Sequence, residues 1–254
     1  MLILTSPAKT LDFESPYDSP LVTQPLFLTQ AKQIAKVLKS ESEKQLAKTL
    51  EVSPKLAELN YARYQAWSVE HTNKNSRPAI FAYNGDIFQP MSPHTYTRAQ
   101  AEYTQKSLRI ISGLYGLVRP YDYIQPYRLE MRAKVNVSGK KDLYSFWRPV
   151  LTEYLNKEIV NGKHSCVLNL ASKEYFDGIS LDKVKAPIIT VEFKQKRGKE
   201  IKNVGILAKF ARGMMIEYVI KRMIEKAAEI RGFDTNGYAL LEETERLFVF
   251  AREQ

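Results

Sequence analysis

Apolar and polar residues alternate along this chain in blocks that predict its elements. Leu2-Ile3-Leu4-Thr5 is a short apolar run closed by Ser6-Pro7, the pattern of a buried first strand. From Ser6 to about Pro25 the chain is polar and dotted with proline, as a loop is. Apolar residues then recur at helical spacing through Ile34, Val37 and Leu38. Ser42 and Gln45 have the spacing of a capping box and predict a second helix, Glu43–Leu50. Ser53-Pro54 predicts a third start, with serine as N-cap and proline at the first helical position, leading into Leu56, Leu59, Tyr64 and Trp67.

Ala79–Tyr83 is expected to be a strand, ended by the turn signal Asn84-Gly85-Asp86. Arg98–Ser107 is expected as helix, Leu108–Ser112 as a short strand that breaks at Gly113, and Arg128–Val135 as extended chain. Trp147–Ile159 reads as an amphipathic helix, and Val167–Leu170 and Ile188–Phe193 as strands. Ile206–Ile230 is expected to be the longest helix, stopped by Gly232, before a closing strand at Leu247–Ala251. This order predicts a mixed α/β fold with an α+β-like arrangement, in which one mixed sheet is wrapped by helices without strict βαβ repetition. No repeat or Gly/Ser linker divides the chain, so a single domain over 1–254 is expected.

Composition adds a partner. Hydrophobic residues make up 44% of the 254, enough for a sizeable core, and the formal net charge is +10. Such an excess attracts phosphate backbones or anionic surfaces, the alternative being a basic surface that serves solubility alone. Between Lys183 and Arg231 stand thirteen Lys or Arg against five Asp or Glu, a net of eight. Cys166 is the only cysteine and lies in an apolar run, which predicts a buried thiol and no intrachain disulfide. The first apolar run is too short for a signal sequence, and no stretch approaches the ~20 apolar residues of a membrane span, so a cytoplasmic protein is expected.

Three segments carry candidate chemistry. Glu43–Leu50 and Leu56–Trp67 form two short helices about a tight connection, the outline of a helix-hairpin-helix, which presents backbone N–H groups to phosphate. The competing reading is an ordinary helical hairpin that packs its leucines into the core. In Ser112-Gly113-Leu114-Tyr115-Gly116 a strand runs into two glycines, followed by Arg119, Tyr121, Tyr123, Tyr127 and Arg128. Glycine, aromatic and arginine together suit a ligand wall, and the competing reading is a structural loop whose tyrosines fill the core. On the long helix, Lys202, Gly205, Lys209, Arg212 and Gly213 fall in one sector of about 100° on an ideal wheel, a basic stripe with small residues.

No P-loop, dinucleotide fingerprint or nucleophile elbow is present, and His71, His94, His164 and Cys166 share no metal-ligand spacing. Neither a metal nor a cofactor is therefore expected. Lys9 and Asp86, each just past an expected strand, are candidates for a proton-transfer pair, against the blander reading of two exposed charges.

Several collinear segments resemble the YaaA family of bacterial peroxide stress resistance proteins over essentially the whole length. They are Leu4-Thr5-Ser6-Pro7-Ala8-Lys9-Thr10-Leu11, Asn84-Gly85-Asp86, the run from Leu108 through Met131, Leu143-Tyr144-Ser145-Phe146-Trp147, Leu168 through Phe176, and Ala208-Lys209-Phe210-Ala211-Arg212-Gly213. The resemblance implies a one-domain α/β fold of unusual topology, a positively charged cleft and a helix-hairpin-helix element. It also implies binding of duplex and branched DNA, and protection from peroxide damage that includes lower free intracellular iron. Glu58 stands where that family often has glycine.

The expectation is thus a DNA-binding protein without sequence preference, with no obligate protein partner and no membrane contact. Lys9, Arg119, Arg128, Lys209 and Arg212 are expected in the cleft, with Lys55 and Arg63 flanking the hairpin. The rival is an enzyme acting on a nucleotide-like or other small molecule, its pocket lined by Lys9, Asp86, Ser112, Gly113, Tyr115, Gly116, Asn169 and Ser172. No residue pattern assigns a reaction, and the reading leans away from an enzyme.

Overall fold

The computed structural model describes residues 1–198 and 200–253. The opening apolar run is β1 (Leu2–Thr5), with every residue buried. After the loop come α1 (Leu28–Ser40), α2 (Glu43–Thr49) and α3 (Pro54–Ala66). α1 buries Ala31, Ile34, Ala35 and Leu38, the i, i+3, i+4, i+7 stripe of a surface helix. The capping box is formed: the Ser42 side chain accepts from the Gln45 N–H, and the Gln45 side-chain Oε1 accepts from the Ser42 N–H at 2.9 Å.

Residues 50–53 join α2 to α3, and the left-handed position in that connection is Glu51 (φ 52). Its carboxylate lies 3.1 Å from the Arg132 guanidinium. α3 buries Ala57, Asn60 and Tyr64 but leaves Leu56 and Leu59 exposed, so the hairpin does not send those leucines into the core.

The next pieces are β2 (Arg77–Pro78) and α4 (Ala79–Ala82). The strand expected at Ala79–Tyr83 is instead a single buried helical turn. A short apolar run has no period to decide its shape, and here tertiary partners do: the N–H groups of Ala79 and Ile80 donate to the carbonyls of Asp122 and Pro120. α5 (Arg98–Ser107) and β3 (Leu108–Ser112) match expectation, and β4 (Gly116–Val118) folds back on β3. β5 (Tyr123–Ile124) pairs with β2.

Arg128–Val135 forms no strand. Its Glu130 carbonyl accepts from Ala133 in a turn, Leu129, Met131, Ala133 and Val135 are buried in the core, and Arg128, expected in the cleft, instead pairs with Glu130 beside it. α6 (Leu143–Asn161) is longer than predicted and, with 19 residues, exceeds α8 (Gly205–Arg222), which has 18. α8 stops where Met223 turns left-handed (φ 49, ψ 47), and Ala227–Gly232 is a separate 3-10 turn. The remaining elements are β6 (Val167–Leu170), α7 (Lys173–Phe176), β7 (Ile188–Arg197), β8 (Glu200–Lys202), β9 (Ala239–Glu243) and β10 (Leu247–Glu253).

The sheet runs β4-β3-β1-β6-β7-β10-β9, with β8 paired to the end of β7. Its five central strands, β3, β1, β6, β7 and β10, are mutually parallel, and antiparallel strands close both edges. Every residue of β1, β3 and β6 is buried, as happens when helices cover both faces. β7 alternates buried and half-buried positions. Counted in chain order, the parallel strands stand 2-1-3-4-5, so the winding direction reverses between β1 and β6. In open α/β sheets a crevice forms outside the carboxyl ends of the strands at such a reversal.

Candidate functional site

A cleft of ≈ 530 Å³ lies at that place. β1 delivers Ser6 through Thr10 to one wall, and β6 delivers Ser172 and the start of α7 to another. The two loops are tied together, since Ser6 Oγ accepts from the Ser172 N–H at 2.9 Å and donates toward Ser172 Oγ at 3.3 Å. A third wall is the turn after α4, with Asp86, and a fourth is the first half of α8, with Lys209 and Arg212. α8 can sit this close because of Gly213: a Cβ there would stand 2.0 Å from the Ile87 carbonyl oxygen. Gly213 therefore serves helix packing and is not part of a ligand-facing stripe, and Lys202 belongs to β8 rather than to this helix.

The charge in the cleft is unbalanced. Lys9, Lys173, Lys209 and Arg212 line it against Asp86 and Glu174. Lys209 reaches Asp86 only at 4.0 Å, and Lys173 is drawn to Asp177, 2.8 Å away. Arg212 is half-buried, with an Nε that has neither solvent nor a hydrogen-bond partner. Burial pushes its pKa down, and Glu192 offsets this only in part. A guanidinium left this way costs folding free energy that an anion in the cleft would offset.

Lys9 turns to Glu130, its Nζ 2.9 Å from Oε1, and Arg128 Nη2 donates to the same oxygen at 3.0 Å. Burial raises the Glu130 pKa, but Lys9 and Arg128 together outweigh it, and the carboxyl sits below its ordinary value. Lys9 and Asp86 thus share a cleft but pair with other residues, Lys9 with Glu130 and Asp86 loosely with Lys209, rather than with each other as a proton-transfer pair would. Next along, the Tyr64 hydroxyl of α3 donates to the Arg128 carbonyl at 2.8 Å, joining the hairpin to this rim. Lys55 is exposed at the first turn of α3 and lines neither this cleft nor the one beside Arg63. Arg63 faces a different cleft.

The glycine-aromatic loop is core. Ser112 and Tyr115 are wholly buried. The Tyr115 hydroxyl accepts from Trp67 Nε1 at 2.8 Å and the Gln125 N–H at 3.1 Å, and lies 3.0 Å from His71 Nε2, away from Lys9 and Asp86. Ser112 Oγ accepts the N–H groups of Leu114 and Tyr115 and joins Tyr127, whose pKa is pushed up to about 12 by burial. A Cβ on Gly113 would meet the Leu129 carbonyl oxygen at 2.5 Å. Gly116, at φ +70, faces the Trp147 ring. Space there is taken by protein. Arg119 is also structural: it binds buried Asp122 (Nε to Oδ1, 3.0 Å) and the Gln24 carbonyl. Asn169 is buried in β6, its Oδ1 accepting from the Ala171 N–H and so shaping the turn toward Ser172.

Comparison with known proteins gives this geometry a family. A profile described as peroxide stress protein YaaA matches residues 1–244. The chain belongs to the YaaA peroxide stress family. Its relatives include a UPF0246 protein of Aliivibrio fischeri (strain MJ11), 39% identical over 256 residues, all of this chain and 99% of that one. A UPF0246 protein of Albidiferax ferrireducens is 40% identical, again over 100% and 99% of the two chains. One from Bordetella pertussis is 41% identical over 94% and 93%. Membership places this YaaA-family protein in peroxide stress. No helix among the described residues is long and apolar enough to cross a membrane, and no three His, Cys, Asp or Glu side chains among them group as metal ligands. Sequence reasoning missed Glu130, Lys173 and Glu174. All three lie inside the segments that carry the YaaA resemblance, but a single charged residue in a loop gives no local signal of where it points.

Proposed function

We propose that this protein acts in the peroxide response by binding duplex and branched DNA without sequence preference, taking phosphates on the cleft at the β1/β6 reversal. One observation carries the reading: four cations from three distant segments converge there against two carboxylates, with the Arg212 Nε unpartnered. The net charge of +10 adds attraction beyond the cleft. Backbone contacts of this kind position a protein on DNA but carry no sequence information. The test is a salt titration of duplex binding. With 6–10 phosphates engaged, affinity should fall by roughly 10³–10⁵ between 50 and 200 mM salt, equally for unrelated sequences. A flat titration removes the reading.

A second reading is favoured by the place and size of the cleft. A volume of ≈ 530 Å³ at the carboxyl ends of parallel strands suits a small anionic molecule. In that reading Ser6, Lys9, Asp86, Ser172, Lys209 and Arg212 surround a nucleotide-like substrate. Competition separates the two: a small anion that binds there displaces duplex only if the duplex uses the same cations.

A further inference from the structure

A second cleft, also of ≈ 530 Å³, opens between α3 and the chain around residues 13–17, 73–77 and 125–126. Its walls include Phe13, Leu59, Trp67 and Pro126, which are flat or aliphatic, and its cations are Arg63, Lys74 and Arg77. Among the described residues, no carboxylate lines it.

Arg77 is only 4% exposed, and its guanidinium lies 4.6 Å over the Tyr17 ring. Its Nε is buried with no hydrogen-bond partner. The nearest carboxylate, Asp12, stands 3.8 Å away, beyond hydrogen-bond reach, and its Oδ1 already accepts the N–H groups of Glu14 and Ser15. Arg63 makes one long hydrogen bond, 3.4 Å to Asn60 Oδ1. Burial pushes its pKa down, with Tyr64 pulling it up and the neighbouring Arg128 pressing it further down. Two guanidiniums are thus held in a partly dry cleft, Arg63 with only Asn60 as a hydrogen-bond partner and Arg77 with Asp12 near it but beyond hydrogen-bond distance. Guanidinium forks match phosphate oxygens in bidentate pairs, and the apolar wall beside them offers a flat ring a place to lie.

We propose that this second cleft binds a nucleoside monophosphate, free or as the phosphorylated end of a strand, with the phosphate on Arg63 and Arg77 and the base against Phe13, Leu59 and Trp67. The site does not use the cationic cleft at the β1/β6 reversal, so its failure leaves the DNA-binding reading intact.

Trp67 lines the cleft and makes tryptophan fluorescence a direct readout, with calorimetry alongside in case the indole does not respond. The full chain is titrated with AMP, a 5′-phosphorylated tetranucleotide, the same oligonucleotide without its phosphate, adenosine and inorganic phosphate. Saturable binding is expected for AMP or for the phosphorylated oligonucleotide. Adenosine, inorganic phosphate and the unphosphorylated strand should bind at least about tenfold more weakly, since each lacks one half of the recognition. AMP binding as tightly as the phosphorylated strand assigns the site to a free nucleotide, and binding of the strand alone assigns it to a strand end. Arg63→Gln should weaken binding about tenfold or more. Leu59→Glu, an acid placed on an exposed α3 position, should abolish it, with circular dichroism confirming the fold. Lys183→Ala, at an exposed position that lines neither cleft, should change nothing. No saturable binding of either phosphorylated probe, or binding that Arg63→Gln and Leu59→Glu leave intact, overturns the proposal.

Discussion

Two loops leave the same end of the sheet from neighbouring parallel strands, and they do opposite things. The loop after β3, Gly113 to Tyr115, has the glycines and aromatic residue of a ligand wall, yet it is sealed. The loop after β1, Ser6 to Thr10, has one lysine and two hydroxyls, and it opens on the cleft. The difference is what stands above each strand. Over β3 the Leu129–Glu130 backbone and the Trp147 ring occupy the space a ligand would need. Over β1 and β6 the winding reverses, so successive connections depart in opposite directions and leave a gap. Glycine after a strand shows only that something comes close, and here that something is the chain itself.

The sharpest way to break this comparison is to fill the sealed loop. Gly116→Val puts a β-branched residue at φ +70 with its Cβ 2.7 Å from the Trp147 ring. Left-handed strain and overpacking together should cost at least about 3 kcal/mol, read as a lower midpoint in urea. If the loop were a ligand wall with room to spare, stability would hold and binding alone would suffer.

Tyr115→Phe is milder. It leaves the Trp67 indole N–H and the Gln125 N–H without their acceptor in a dry core, which should cost about 2–4 kcal/mol. The slope of DNA affinity against salt should be that of the parent at temperatures where both are folded. A changed slope in a folded variant would move this loop back toward the DNA interface.

The smallest effect on stability belongs to the open side. Lys209→Ala with Arg212→Ala removes two cations of the cleft and leaves no carboxylate stranded at hydrogen-bond distance. Stability should move by about 0.5 kcal/mol or less at Lys209, while the salt slope of duplex binding should fall by about two, one per lost phosphate contact. An unchanged slope with an intact fold places the DNA groove elsewhere.

Elements with a period or a cap were legible: β1, α5, β3 and β6 stand where the pattern put them, and the Ser42 box is formed. Short apolar runs were not. Ala79–Ala82 turned helical because Asp122 and Pro120 supply its hydrogen-bond acceptors. At the site, Lys9, Asp86, Ser172, Lys209 and Arg212 were legible as candidates and do converge. Arg119 was misplaced, because an arginine three residues before an aspartate reads equally as a phosphate ligand or as half of a buried pair.

The sequence alone determined the alternation of elements, the charge excess, the chain's family and the stock of cations and hydroxyls available at loop positions. Those properties are local or additive, set by a residue and its neighbours within a turn or two. Only the tertiary structure decided which loops open and which close, which cations meet, and that the guanidiniums of Arg63 and Arg77 beside α3 have no carboxylate at hydrogen-bond distance. Those outcomes depend on strand order and on contacts between segments far apart in the chain, where a side chain's partner is set by what packs over it and not by what flanks it.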